Sequence, residues 1–382
     1  MSPDVESRGS LLTLFLCGDV MTGRGVDQVL PHPSDPRIHE DYTKDAREYV
    51  RLAARANGPI PAPVDFAWIW GDALAELERA RPDARIVNLE TSVTRSDGYW
   101  RGKGIHYRMH PDNVPCILAA RIDCCVLANN HVLDYGHRGL VETLETLARA
   151  GVRTAGAGRS LEEAARPAVI DVPGKGRVVV FGFGTETSGI PPAWAATGER
   201  PGVNFIDLSD ATVGRIRRAI RRIKRPRDVV VASIHWGGNW GFEVPDAHVR
   251  FAHDLVHAGV DLVHGHSSHH VRPIELYGER LVLYGCGDFI DDYEGIGGYE
   301  AFRSDLSLAY FPAVDPAAGR LADLRMVPMQ ARNFRLRRAP VEDAKWLAAT
   351  VDRESRRLGF RVKLERDAPL ALRPDAPLCP RG

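Results

Sequence analysis

The sequence predicts an α/β fold built in layers, a sandwich with a helical extension at its C-terminal end. Three observations carry that expectation. Short apolar runs rich in β-branched residues recur along the chain, segments with helical apolar spacing lie between them, and several runs end in a polar residue able to do chemistry. Ligands of open α/β sheets bind outside the carboxyl ends of the strands, so polar residues at successive strand ends mark one candidate site.

The runs follow in order. LLTLFLCGD ends in Asp19, ARIVNLE in Asn88 and Glu90, DCCVLANNH in Asn129, Asn130 and His131, and DVVVASIHWGG in His235. VDLVHGHSSHH ends in His264, His266, His269 and His270, four histidines within seven positions. Between the runs, GLVETLETLARAG keeps Leu140, Leu144 and Leu147 on one helical stripe and stops at Gly151. RIRRAIRRIKRPR places Ile216, Ala219, Ile220 and Ile223 at helical spacing among arginines. It is read first as an amphipathic helix with a solvated basic face, with polyanion binding as the alternative. Gly156 and Gly158 in TAGAGR read as a turn from strand to helix.

The insertion 31–63 has prolines at both ends and contains the helix-like KDAREYVRLAARANG; it is either a lid over the site or a plain surface excursion. After Met329 the strand pattern fades, and the helix VEDAKWLAATVDRESRRLG and a proline-containing tail follow. The expected organisation is therefore one domain over 11–335 and an extension over 336–382.

Bulk properties exclude several classes. The 382 residues suffice for a sizeable core without staples. Basic and acidic residues balance at 50 each, so no global charge draws the chain to nucleic acid or a membrane surface. The six cysteines form no CxxC pair, and a reducing compartment is the simpler expectation. MSPDVESRGS carries acids and a proline, and LLTLFLCG is too short for a secretion signal or a membrane span. A cytoplasmic protein without a membrane anchor is expected.

The candidate metal ligands are Asp19, Glu90, Asn130, His235, His266 and His269, with His264 in reserve. Carboxylate, amide and imidazole without a cysteine argue for an oxygen and nitrogen site holding a hydrolytic divalent metal, with Mn, Fe or Zn foremost. Two such ions need an anionic bridge, for which Glu90 is the natural candidate, and together they would generate a hydroxide nucleophile near neutral pH. His131 could then protonate the leaving group or stabilise its charge. Arg24 is read as either an anion contact or a surface arginine, Asp288 as a carboxylate that orients a histidine, and Asp291 and Asp292 as an acidic surface loop.

GDVMTGR at 18–24, NLETSVT at 88–94, LANNHVLDYG at 127–136, SIHWGG at 233–238, GHSSHHVRPIE at 265–275 and LYGCGDF at 283–289 together resemble the CapA family of poly-γ-glutamate capsule synthesis proteins. That family is similar to the calcineurin-like metallophosphoesterases, so the resemblance implies a sandwich of the metallophosphoesterase type. It also implies ligand roles for Asp19, Glu90, Asn130, His235, His266 and His269 and a catalytic role for His131. Three departures stand out: Met21 occupies a position where metallophosphoesterases carry a histidine ligand, Glu90 replaces an aspartate, and the last pair is spaced G-H-x-x-H. The implied function is metal-dependent hydrolysis of a phosphoester or a γ-glutamyl amide, linked to polyglutamate or capsule synthesis. The alternative is a non-catalytic accessory protein that binds an anionic polymer or a synthase partner.

Overall fold

The computed structural model describes residues 11–365 and 371–375. Cys379 lies outside the described residues, and the five described cysteines are buried and unpaired. Two sheets stack face to face, each covered on its outer side by helices. In the first, the parallel strands Leu12–Val20, Ala84–Leu89, Cys124–Val126 and Arg153–Ala155 lie side by side. Leu306–Asp315 and Arg320–Ala331 extend that sheet in antiparallel fashion. In the second, Gly176–Gly184, Asp228–His235, Leu262–His266 and Arg280–Leu283 run parallel, with antiparallel strands on both edges.

The strand period of two explains the layers. Leu12, Leu14 and Leu16 face the second sheet, where they meet a core that includes Val178, Val180, Val229, Val231 and Leu262. The residues between them, Phe15 and Cys17, face the outer core under the helices Ala73–Ala80 and Gly136–Arg149. The second sheet alternates in the same way. Val179, Phe181, Val230 and Ala232 turn outward beneath Asp210–Ile223 and Asp246–Ala258. The arginine-rich segment is thus the expected amphipathic helix, burying Val213, Ile216 and Ile220.

Residues 336–338 pair with the strand Arg320–Ala331, and the helix Val341–Ser355 adds Leu347, Ala348 and Val351 to the core between the sheets. Strands Val362–Glu365 and Ala371–Pro374 then close the edge of the first sheet. The C-terminal segment therefore adds strands as well as a helix, and it shares the central core. No helix among the described residues is long and apolar enough to cross a membrane.

Because Leu347 is buried in the shared core, Leu347→Ala is expected to destabilise the whole chain by about 2–5 kcal/mol. Urea denaturation should show one transition at a lower midpoint. A separate early transition confined to the C-terminal segment would contradict the shared core.

Candidate metal centre

The site lies where the carboxyl ends of the parallel strands of both sheets meet. Asp19 closes the first strand beside Asn88, its register partner. A Cβ at position 18 would sit 1.8 Å from the Gly287 carbonyl oxygen, so only glycine allows this approach. The approach lets the Asp19 amide donate to Gly287 O (2.9 Å) and sets Asp19 in register with Asp288. On the other sheet, His235 and His266 are register partners at the ends of neighbouring parallel strands. Sheet pairing alone therefore brings their rings together.

Ligand atoms of Asp19, His235 and His266 all lie within 4.8 Å of one another. His235 Nδ1 is 2.8 Å from His266 Nδ1, and His235 Nε2 is 3.0 Å from Asn130 Oδ1. Glu90 Oε1 is 3.8 Å from His235 Nε2 and 3.9 Å from His131 Nε2. Of the seven sequence-predicted residues, Asp19, Glu90, Asn130, His131, His235 and His266 thus form one contiguous cluster. His269 stands beside it with both ring nitrogens engaged, Nδ1 at 2.9 Å from Asp288 Oδ1 and Nε2 at 2.9 Å from Asn239 Nδ2. His264 bonds Ser233 and the Cys17 carbonyl instead, between the two sheets.

Several residues of the site were not assigned from the sequence. Asn88 Nδ2 donates to Asp19 Oδ1 (2.7 Å) and to Glu90 Oε2 (3.1 Å), and its own oxygen accepts from Asn129 (3.0 Å). Asn129 Oδ1 in turn accepts from the His131 amide, so Asn129 shapes the turn that presents His131. The Ser267 amide donates to Asp19 Oδ2 at 3.1 Å from a left-handed backbone (φ 101°), a conformation uncommon for a residue with a side chain. Asp134 and Lys103 hold the far side of the His131 ring. Nδ1 lies 2.6 Å from Asp134 Oδ2 and 2.9 Å from Lys103 Nζ, and the Tyr107 ring meets it edge-on at 4.4 Å.

Burial dominates the electrostatics of the cluster. Burial, then the neighbouring Asp288, pushes the Asp19 carboxyl up to about 7. Burial and Asp19 raise Glu90 well above the carboxylate range, and burial raises Asp288. Asp288 Oδ2 is buried with no hydrogen-bond partner. The imidazoles move the other way: burial, then Lys103, lowers His131 to about 4, and burial holds His235 and His266 well below their ordinary value. Burial also works against the charge on His269, but Asp288 and Asp19 outweigh it and raise the pKa. Buried carboxyls facing imidazole nitrogens are the donor set a divalent cation would bind.

Arg24, Asp291 and Asp292 correct the sequence reading. None is at the surface: Arg24 is 2% exposed, and both aspartates are buried. The Arg24 guanidinium pairs with Asp292 and with Glu40 of the insertion (3.0 Å), and lies over the rings of Tyr49 (3.8 Å) and Tyr107 (4.3 Å). Asp292 turned inward because it carries the counter-charge of a buried arginine, and the adjacent Asp291 accepts from the Tyr293 amide at 2.7 Å. The same contacts fix the insertion, whose Tyr42 and Asn57 line the site cavity. Met21 is fully buried, with its amide donating to Ile290 O at 2.7 Å.

Two stacked sheets with carboxylate, amide and imidazole groups at their common carboxyl edge define an α/β sandwich of the metallophosphoesterase type. Within that class, this chain belongs to the bacterial capsule synthesis protein family PGA_cap, whose sequence model matches residues 13–293. It is 48% identical over 383 aligned positions to a probable polyglutamine synthesis accessory protein of Mycobacterium tuberculosis, covering 99% of this chain and 98% of the relative. It is 30% identical over 206 positions to the PGA biosynthesis protein CapA of Bacillus subtilis, across 54% of this chain and 52% of that protein. The capsule biosynthesis protein CapA of Bacillus anthracis is 24% identical over 293 positions, across 76% of this chain and 62% of that protein.

Removing the arginine while leaving its two acids buried should be costly. Arg24→Met is expected to destabilise the protein by about 3–5 kcal/mol. Arg24→Met combined with Glu40→Gln and Asp292→Asn should recover much of the loss in thermal denaturation; no recovery would contradict the pairing.

Proposed function

We propose that this chain is a metal-dependent hydrolase acting in polyglutamate or capsule synthesis, with the reacting group of its substrate held at the strand-end cluster. The carrying observation is the convergence of Asp19, His235 and His266 within 4.8 Å, beside Glu90 and a buried Asp288 oxygen that has no hydrogen-bond partner. Asp19, Glu90, Asn130, His235 and His266 would hold divalent metal, with Mn, Fe or Zn as candidates for two ions. His269 and Asp288 would border it. Such ions supply Lewis-acid polarisation of an oxygen electrophile and activation of water.

The chain's own residues do the rest. His131 handles a proton at Nε2, the nitrogen that faces Glu90. When Nδ1 donates to Asp134, Nε2 offers a lone pair; when Lys103 donates to Nδ1, Nε2 carries the proton. Lys103 and Asp134 thus set whether His131 accepts or donates, which suits protonation of a leaving group. Asn129 and Tyr107 fix its position. The relatives' names bring polyglutamine and PGA synthesis to this chain as the setting. The candidate reactions are cleavage of a phosphoester, which the sandwich class favours, and of a γ-glutamyl amide, which the relatives favour.

A second reading has its own support. Met21 puts a buried thioether where a metallophosphoesterase carries a ligand, and the Mycobacterium tuberculosis relative is named an accessory protein. In that reading the cluster binds an anionic polymer or a synthase partner without turning it over.

The test is hydrolysis of phosphomonoester, phosphodiester and γ-glutamyl amide reporters with Mn, Fe or Zn. His131→Ala should lower kcat by about 10²–10⁴ while leaving metal content unchanged. No turnover with any metal, together with saturable polyglutamate binding, would overturn the hydrolase in favour of the accessory reading.

A further inference from the structure

We propose that the site cavity contains a subsite for a flat unsaturated ring, carried by the substrate next to its reacting group. The inference rests on the reading above that the reacting group sits at the strand-end cluster. It names a substrate feature that a bare anion or an unadorned polyglutamate chain lacks.

The cavity has a volume of about 740 Å³, far more than a phosphate or carboxylate fills. Its lining includes His131 and His269 and also Tyr42, Trp240, Ile296 and Tyr299. Six large hydrophobic side chains are strongly exposed among the described residues, and three of them, Tyr42 (68%), Ile296 (46%) and Tyr299 (46%), line this cavity. Scattered exposed hydrophobics need no explanation, but their gathering in the cavity that Asn130 and His131 of the polar cluster line points to a ligand.

The arrangement of the rings says what kind of ligand. Trp240 and Tyr299 lie parallel, with centroids 3.9 Å apart and an interplanar angle of 3°, and Phe302 braces Trp240 at 5.5 Å. Trp240 is also 5.3 Å from the His269 ring, so the platform begins next to the polar cluster. Tyr299, at 46% exposed, keeps surface free for contact. A stacked pair with open surface adds a third ring at little conformational cost, because the platform is already ordered. An aliphatic chain would gain contact area there but no stacking.

Calorimetry on the full, manganese-loaded chain tests this with three ligands sharing one head: methylphosphonate, cyclohexylphosphonate and phenylphosphonate. The expected result is phenylphosphonate binding about tenfold tighter than methylphosphonate, and severalfold tighter than cyclohexylphosphonate. In the Trp240→Ala, Tyr299→Ala double variant the phenyl advantage should vanish while methylphosphonate binding stays, and Trp240→Phe should restore much of it. Equal binding of phenyl and methyl ligands would overturn the subsite but leave binding of the shared head at the cluster standing. Equal binding of phenyl and cyclohexyl ligands would overturn the ring in favour of a plain apolar pocket. Failure of all three to bind would overturn the placing of a phosphoryl-type reacting group at the metal-loaded cluster, and the subsite with it.

Discussion

The site is organised by carboxyl groups buried together with too little positive charge to balance them. Asp19, Glu90 and Asp288 sit at one corner of the sandwich, and burial raises the pKa of each. A buried carboxylate is stable only when paired or when it binds a cation; His269 pairs with one Asp288 oxygen, and the other is buried without a hydrogen-bond partner. The contrast with Arg24 is instructive. There, two buried acids meet a guanidinium and two aromatic rings, and the charges are closed internally.

The fold delivers this corner by ordinary means. Parallel strands place their carboxyl ends on one edge, and register fixes neighbours: His235 beside His266, Asp19 beside Asn88 on one side and Asp288 on the other. Gly18 allows the last of these by giving room to the Gly287 carbonyl. The sandwich then sets the carboxyl edge of one sheet against that of the other, so acids from the first face imidazoles from the second.

Much of this was legible in the sequence because it is local. An apolar run followed by a polar residue is visible in a short window, and the layered α/β architecture follows from repeating that pattern. The histidine cluster drew attention in the same way, although the structure uses its members differently: His266 in the polar cluster, His269 against Asp288, and His264 between the sheets. What could not be read depends on contacts far apart in the chain. Arg24 meets Asp292 across 268 positions, so the sequence left Arg24 open between an anion contact and a surface arginine and placed Asp292 in a surface loop. Lys103 lies in a loop with no periodicity, and only folding brings it 2.9 Å from His131. Asp134 stood inside the LANNHVLDYG motif, three residues after His131, and the spacing of a histidine and an acid in one tight turn was the signal available for it. The strands after residue 360 were missed because short edge strands carry little pattern of their own.

The central claim is that the strand-end cluster exists to hold metal. Its most direct test is the metal content of gently purified, tag-free protein by inductively coupled plasma mass spectrometry, alongside Glu90→Ala and His266→Ala. The account predicts about two transition-metal ions per chain in the wild type, falling in both variants. Wild-type protein that is free of metal and also fails to take up added Mn, Zn or Fe would contradict it.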